Sequence, residues 1–204
     1  MLFDKPNLKR IAAGLMETAI IIDTETTGLG DDDQVVEIAA VRASDGAVLV
    51  NSLVKSSKSV SHEAQQVHGI GADELASAGD ILDVLDDLSE RVAFDSVLVA
   101  FNSSFDERLI LQSVRAARGN EGGVDRADFL ELIFNSFDGC VMELANRYFH
   151  EHLQWSYNNS CFKRLSLARC MELAGLEFRG PAHRALADAY AACDLLKFIA
   201  ESEA

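Results

Sequence analysis

Five side chains sit where their chemistry has an obvious use. Asp23 and Glu25 close the apolar run at the start of "AIIIDTETTGLG". Residues i and i+2 of a strand point to one face, so both carboxylates can reach a single cation. Asp106, in "LVAFNSSFDERLI", follows a second apolar run and falls in the first turn of a helix. Asp188, in "HRALADAYAACDLL", lies near the start of the last helix, and His183 precedes it on a loop or first turn. Taken singly, each has an ordinary explanation: a solvated strand edge, an acid favoured by a helix dipole, a surface or core histidine. Taken together, four acids at the edges of core elements form an all-oxygen set. Such a set suits hard divalent ions such as Mg²⁺ or Mn²⁺. An imidazole, with its unperturbed pKa near neutrality, suits a general base.

The elements that must carry these groups are legible in the hydrophobic pattern. "TAIIID" reads as a buried strand. "QVVEIAAVRA" and "AVLVNSLV" read as two more, joined at Ser44-Asp45-Gly46 into a meander. "DILDVLDDLSERVAF" has Ile81, Val84, Leu85, Leu88 and Val92 on one helical face and acids on the other. "SVLVAF" is a short buried strand. "SSFDERLILQSVRAARG" is a helix with Ser103 or Ser104 as its N-cap and Gly119 as its stop. Two helices are expected between Asp125 and Phe149 with a break near Asp138-Gly139, then "KRLSLARCMELAG", then "ALADAYAACDLLKFIA". "HEHLQWSYNNS", polar and aromatic, reads as a surface loop. With no repeat, linker or low-complexity tract, the expectation is one α/β domain over residues 1–204. Its core runs from about residue 18 to 200, after an N-terminal extension of residues 1–17.

Composition narrows the function classes. The chain has 204 residues, 33 acids against 18 bases and a formal net charge of −15, so it should repel polyanions at long range. Four cysteines (Cys140, Cys161, Cys170, Cys193) form no C-x-x-C pair and read as reduced thiols rather than a zinc site or disulfide frame. No apolar run reaches membrane-span length, and with an acid at Asp4 and only a short apolar patch after its bases the first segment is not expected to be a cleaved signal. A cytoplasmic protein with no membrane partner is expected.

The motifs, taken in order, resemble those of the DEDDh 3′-to-5′ exonucleases. Asp23-Thr24-Glu25-Thr26-Thr27-Gly28-Leu29 is similar to the family's first motif, and Asn102 to Asp106 to its second. His183, Ala185 and Asp188 match its third. Val35 to Val41, Val67 to Ile70 and "SLARCMELAGL" resemble connecting segments. The likeness spans roughly Thr18 to Ile199. One departure is Phe101, where many relatives have His; the position is not a metal ligand in the family pattern.

The resemblance implies a ribonuclease H-like exonuclease fold, a mixed central sheet flanked by helices. It also implies two divalent metal ions, Mg²⁺ or Mn²⁺, clamping the attacking and leaving oxygens of a phosphodiester. Asp23, Glu25 and Asp188 would hold one ion. Asp23 would bridge to the second, which Asp106 helps hold, and His183 would take the proton from the attacking water. For substrate contacts, Gly28 lets the backbone of Thr26 to Leu29 approach a terminal nucleotide. Leu29 and the Val67-His68 region are placed to stack on or wedge terminal bases, and Asn102 and Phe105 are the second-motif contacts. Lys55, Lys58, Arg108, Lys163, Arg164, Arg179 and Arg184 are the local bases available to phosphates.

The expected partners are single-stranded DNA or RNA 3′ ends, with DNA favoured by the "VHGI" segment, and a polymerase or other tethering protein. The competing readings are an RNA-trimming exoribonuclease, a non-catalytic nuclease-like module that binds a partner, and a metal-dependent phosphatase or endonuclease. The complete set of four acids and a histidine weighs against the module. The third motif's His-to-Asp spacing weighs against the phosphatase or endonuclease.

Overall fold

β-Branched residues dominate Ala19–Thr26, and this segment becomes β1. β2 (Val35–Arg42) runs antiparallel beside it, and β3 (Val48–Leu53) antiparallel beside β2. The β2–β3 turn closes on Gly46 with φ at 72°, a left-handed conformation that glycine adopts without strain. β4 (Val97–Ala100) pairs parallel with the other edge of β1, giving a mixed four-stranded sheet ordered β3-β2-β1-β4. The computed structural model describes residues 4–93, 95–118 and 139–202.

Alternate residues of β1 feed two cores. Ala19 and Ile21 pack with Ala39, Val41 and Val99 on one face of the sheet. Ile20 and Ile22 pack with Ile38, Ala40, Val50 and Leu98 on the other. Each fully buried isoleucine is worth roughly 1.5–3 kcal/mol. A one-residue slip of β1 would exchange the two faces, so the register is strongly fixed. The first face is covered by α1 (Lys5–Thr18), α6 (Val141–Tyr148), α7 (Leu167–Ala174) and α8 (Ala185–Glu201). The second is covered by α4 (Ile81–Arg91) and α5 (Ser103–Arg118). Two short helices, α2 (His62–His68) and α3 (Ala72–Leu75), lie between β3 and α4. The buried face of α8 is built largely of alanine: Ala185, Ala187, Ala189, Ala191 and Ala192. Small side chains let this helix approach the sheet closely, and that approach brings its first turn to the end of β1. No helix among the described residues is long and apolar enough to cross a membrane.

Several expectations are revised. The segment before β1, read as an extension, is the helix α1, which buries Leu8 and Ala12. The loop expected at "HEHLQWSYNNS" contains a 3₁₀ turn, His150–His152, and a two-residue strand β5 (Trp155–Ser156) paired with β6 (Cys161–Phe162). Ser103 is the first residue of α5 rather than its cap. Its hydroxyl accepts from the Ala100 amide and donates to the Gly139 carbonyl. Ser166 caps α7, accepting from the Arg169 amide at 3.2 Å, so that helix starts later than "KRLSL" suggests. The Gly119 stop, the first of the two helices after Asp125, and Asp138 lie outside the described residues.

Candidate active site

Asp23 and Glu25 continue the face of β1 that carries Ala19 and Ile21, the face on which α8 packs. Asp188, in the first turn of α8, meets them there. One carboxylate oxygen from each of the three lies within 4.8 Å of the others. Burial is the first cause of their electrostatic strain, and the neighbouring acids add to it. Burial, then Asp106, Asp188, Glu25 and Glu37, hold the Asp23 carboxyl well above the usual carboxylate range. Burial, then Asp188, Glu37 and Asp106, push Glu25 up to about 8, against a smaller lowering by Arg184. Burial also raises Asp188, partly offset by the amide of His183. A crowded set of carboxylate oxygens that must hold protons to coexist is what a divalent cation would relieve, so the donor set fits one.

Asp106 is positioned from behind. Thr24 points to the opposite face of β1 from its two acidic neighbours, toward α5. There its hydroxyl donates to Asp106 Oδ1 at 2.8 Å. Asp106 is 3% exposed, and burial pushes it up to about 7 despite that hydrogen bond. The backbone amides of Phe105 and Asp106 close the first turn of α5 on the Asn102 carbonyl, which holds the second motif against the strand end. The structure thus gathers Asp23, Glu25 and Asp188 in one cluster, with Asp106 electrostatically coupled at its rear. Phe101 packs into the core beside β4, and its carbonyl accepts from the Met142 amide.

Sequence reasoning missed the support beneath the third motif. Glu37 on β2 stands directly across from Glu25 on β1, an unfavourable like-charge pairing. Arg184 resolves it. Its guanidinium grips both oxygens of Glu37, with Nε at 3.1 Å from each and a terminal nitrogen at 2.5 Å. The Ala185 amide donates to the same carboxylate at 2.8 Å, so a sheet residue satisfies an open donor at the start of α8. This clamp fixes the residue on either side of the loop-to-helix junction. His183 sits exposed just before it, in the left-handed region with φ at 63°, and its amide donates to Asp188 Oδ1 at 3.3 Å. A lone acid in the apolar strand "VVEIAAV", opposite a candidate ligand, was the available signal.

The loop after β1 is also self-supported. Asp33 accepts from the Thr27 hydroxyl and the Gly30 amide, each at 2.7 Å, and pairs with Lys58 at 2.9 Å. A Cβ at Gly28 would meet the Asp33 carboxylate at 2.7 Å, so the loop's own packing already demands glycine there. The Thr26 hydroxyl donates to the Gly28 carbonyl at 2.8 Å. Arg108 donates to the Gly30 carbonyl at 3.0 Å and lies 5.6 Å from the Phe105 ring centre. Arg108, Arg184, Lys58 and Arg179, offered by the sequence as phosphate contacts, therefore each have an internal partner.

Beside this loop a cleft of about 280 Å³ is lined by Glu25, Gly28, Leu29, Val67, His68 and Phe105, among others. Leu29 and Val67 are exposed there, 77% and 55%. His68, also in this lining, is held by its ring nitrogens. It is buried, Nδ1 accepts from the Ile70 amide at 3.0 Å, and Nε2 lies 3.1 Å from the Thr26 carbonyl, to which it donates. Both ring nitrogens are spent on backbone, so His68 ties α2 to the end of β1. Asn102 lies outside this cleft and lines a neighbouring groove with Ser104, Glu107 and Arg164.

These features match known proteins. The exonuclease family described as RNase_T matches residues 20–196. The uncharacterized exonuclease CP81 of Escherichia phage 186 is 32% identical over 180 residues, which cover 88% of this chain and 87% of that protein. The PolC-type DNA polymerase III of Thermotoga petrophila is 30% identical over 147 residues, covering 66% of this chain and 10% of the polymerase. Among solved structures, exonuclease X in complex with 5′-overhanging duplex DNA superposes with a TM-score of 0.59 at 25% identity, covering 90% of this chain and 92% of that one. The chain belongs to the DEDD exonuclease family, with its ribonuclease H-like fold.

Proposed function

We propose that this exonuclease is a metal-dependent 3′-to-5′ enzyme that releases 5′-mononucleotides from single-stranded ends, with DNA favoured over RNA. The observation that carries this reading is the convergence of Asp23 and Glu25 from β1 with Asp188 from α8, their oxygens within 4.8 Å, in front of the buried Asp106. Asp23, Glu25, Asp106 and Asp188 would hold two ions, Mg²⁺ or Mn²⁺. When bound, these supply Lewis-acid polarisation of the phosphodiester and stabilisation of charge on its oxygens.

The chain's own residues supply the rest. His183, exposed on its loop beside Asp188, accepts the proton of the attacking water. The Glu37–Arg184 clamp keeps that loop and the first turn of α8 in register with β1. The cleft between Leu29, Val67 and Phe105 takes the terminal nucleotide, with apolar side chains against its base. Asn102 contacts the strand from the adjacent groove. The whole chain, α1 included, works as one exonuclease domain.

DNA is favoured because exonuclease X is solved on DNA and the PolC-type relative is a DNA polymerase. At a net charge of −15 the chain grips long polyanions weakly, so it acts distributively and is tethered by a polymerase or another more basic protein. The test is incubation with Mg²⁺ or Mn²⁺ and 5′-labelled single-stranded DNA and RNA of one sequence. A ladder shortening from the 3′ end, faster on DNA and stopped by a bulky 3′ block, is expected. Rapid cutting of a covalently closed circle, or no shortening of either strand, overturns the proposal.

A further inference from the structure

The chain exposes three aromatic rings on one small hairpin between the second and third acidic motifs. Trp155 and Phe162 face each other across β5 and β6, ring centres 5.0 Å apart and nearly perpendicular. They are 46% and 56% exposed, and Tyr157 at the turn is 88% exposed. A pair of two-residue strands has no core of its own to hide these rings. What holds the hairpin is its base: the Lys163 amide donates to the Gln154 carbonyl at 2.8 Å, and the Leu165 amide to Asn146 Oδ1 of α6 at 2.9 Å. The rings are therefore presented on a fixed mount.

Charge narrows the occupant. From Leu153 to Arg164 the sequence has no acid, two adjacent bases, Lys163 and Arg164, and three amides, Gln154, Asn158 and Asn159, in a chain with 33 acids and 18 bases. Arg164 leads back to the active site, because it lines a groove of about 400 Å³ together with Asn102, Ser104, Glu107 and Glu143. Exposed ring faces interleaved with bases are how proteins hold single strands without reading sequence, each base stacking on a ring while cations follow the phosphates. We propose that this hairpin is a single-strand platform: Trp155, Tyr157 and Phe162 stack on bases upstream of the scissile end, and Lys163 and Arg164 neutralise their phosphates. The strand reaches the hairpin along the Asn102–Arg164 groove. This extends the exonuclease reading and gives an acidic enzyme a local means of retaining its substrate.

Trp155 is the single tryptophan of the chain, so tryptophan emission, excited at a wavelength that tyrosine does not absorb, reports on this hairpin alone. The experiment titrates the full chain, in Ca²⁺ without Mg²⁺ or Mn²⁺, with unlabelled oligothymidylates from two to about twelve nucleotides. A parallel Mg²⁺ reaction scores shortening of labelled strands. Quenching by the longer strands but not by the dinucleotide is expected. Tyr157→Ala, which removes an exposed ring without touching the Trp155–Phe162 pair, should weaken binding of the long strands by about 5- to 150-fold, the range for loss of one stacked base. Lys163→Ala with Arg164→Ala should flatten the salt dependence of that binding. Unchanged Trp155 emission at every length, with shortening intact, overturns the platform, leaves the exonuclease reading standing and assigns the aromatic face to a protein partner. Quenching without shortening keeps the platform and overturns the exonuclease reading. Absence of both overturns the two together.

Discussion

Asp23→Asn should separate folding from function. The carboxylates of Asp23, Glu25 and Asp188 share a space 4.8 Å across. At an effective dielectric near 20, two unit charges at that distance repel by ~3.5 kcal/mol. Without a cation the cluster avoids most of this by retaining protons, which is why burial and its neighbours push Glu25 up to about 8. The residual strain that a neutral amide would relieve is on the order of 1–2 kcal/mol. A chain of this size shifts by roughly 2–4 °C per kcal/mol. In EDTA at pH 8 the Asp23→Asn protein should therefore melt about 2–8 °C above the wild type. Mn²⁺ at a hundred times its Kd should raise the wild type by about 2.7 kcal/mol for each site filled and the variant by far less. Thermal melts with and without Mn²⁺, run beside the 3′-shortening assay, read all of this. A variant that melts below the wild type in EDTA yet gains as much from Mn²⁺ refutes the reasoning. It would show that Asp23 contributes to packing rather than to a cation site.

His183→Ala should lose about 10²–10⁴-fold in rate and keep Mn²⁺ binding, whereas Asp188→Ala should lose both; equal loss of Mn²⁺ binding in calorimetry would move His183 among the ligands. Arg184→Ala leaves the buried Glu37 with a single amide donor. Because the Arg184 side chain is 38% exposed, the cost should fall below that of a fully buried pair, at about 1–3 kcal/mol in urea unfolding, accompanied by slower turnover. Arg184→Met with Glu37→Leu should recover only part of the stability, because the buried Ala185 amide loses its acceptor, and should not recover the turnover; a single variant indistinguishable from wild type would make the clamp inert. The metal-free protein should also lose stability as pH rises from about 4.5 to about 8. Over that interval folded Glu25 retains a proton that the unfolded chain has released, so the penalty is absent below 4.5 and complete above 8. Glu25→Gln should flatten that part of the melting profile, and an equally steep Glu25→Gln profile would place the titration elsewhere.

The acids were legible in the sequence because strand periodicity is short-range. Two positions apart on β1 means one face, and the apolar run before Asp23 and Glu25 fixed which strand that was. Their meeting with Asp188 was readable only through the family resemblance, since it depends on how closely an alanine-faced helix can approach the sheet. Thr24 lay between the two acids in plain view, but its partner is 82 residues away on the opposite face. The pairing of Glu37 with Arg184 escaped notice for a similar reason, the two being separated by 147 residues and brought together only by the packing of α8 on β2. His68 carries a second job that the sequence did not show: it lines the cleft, and both of its nitrogens serve the backbone of β1 and the turn after α2. The helix α1 was signalled locally by Asp4 ahead of Pro6 and by the helical spacing of Leu8, Ile11, Ala12 and Leu15, but its use depends on α8, at the far end of the chain.

The proposal stands or falls on whether the four carboxylates gathered from β1, α5 and α8 hold the divalent ions. Calorimetric titration of Mn²⁺ into the wild type and the Asp23→Asn protein, both first stripped with chelator, tests it most directly. The account predicts two ions per wild-type chain and loss of that binding in the variant, with the fold retained. A wild type that takes up no Mn²⁺, or a variant that binds it as tightly and in the same number, would contradict the account.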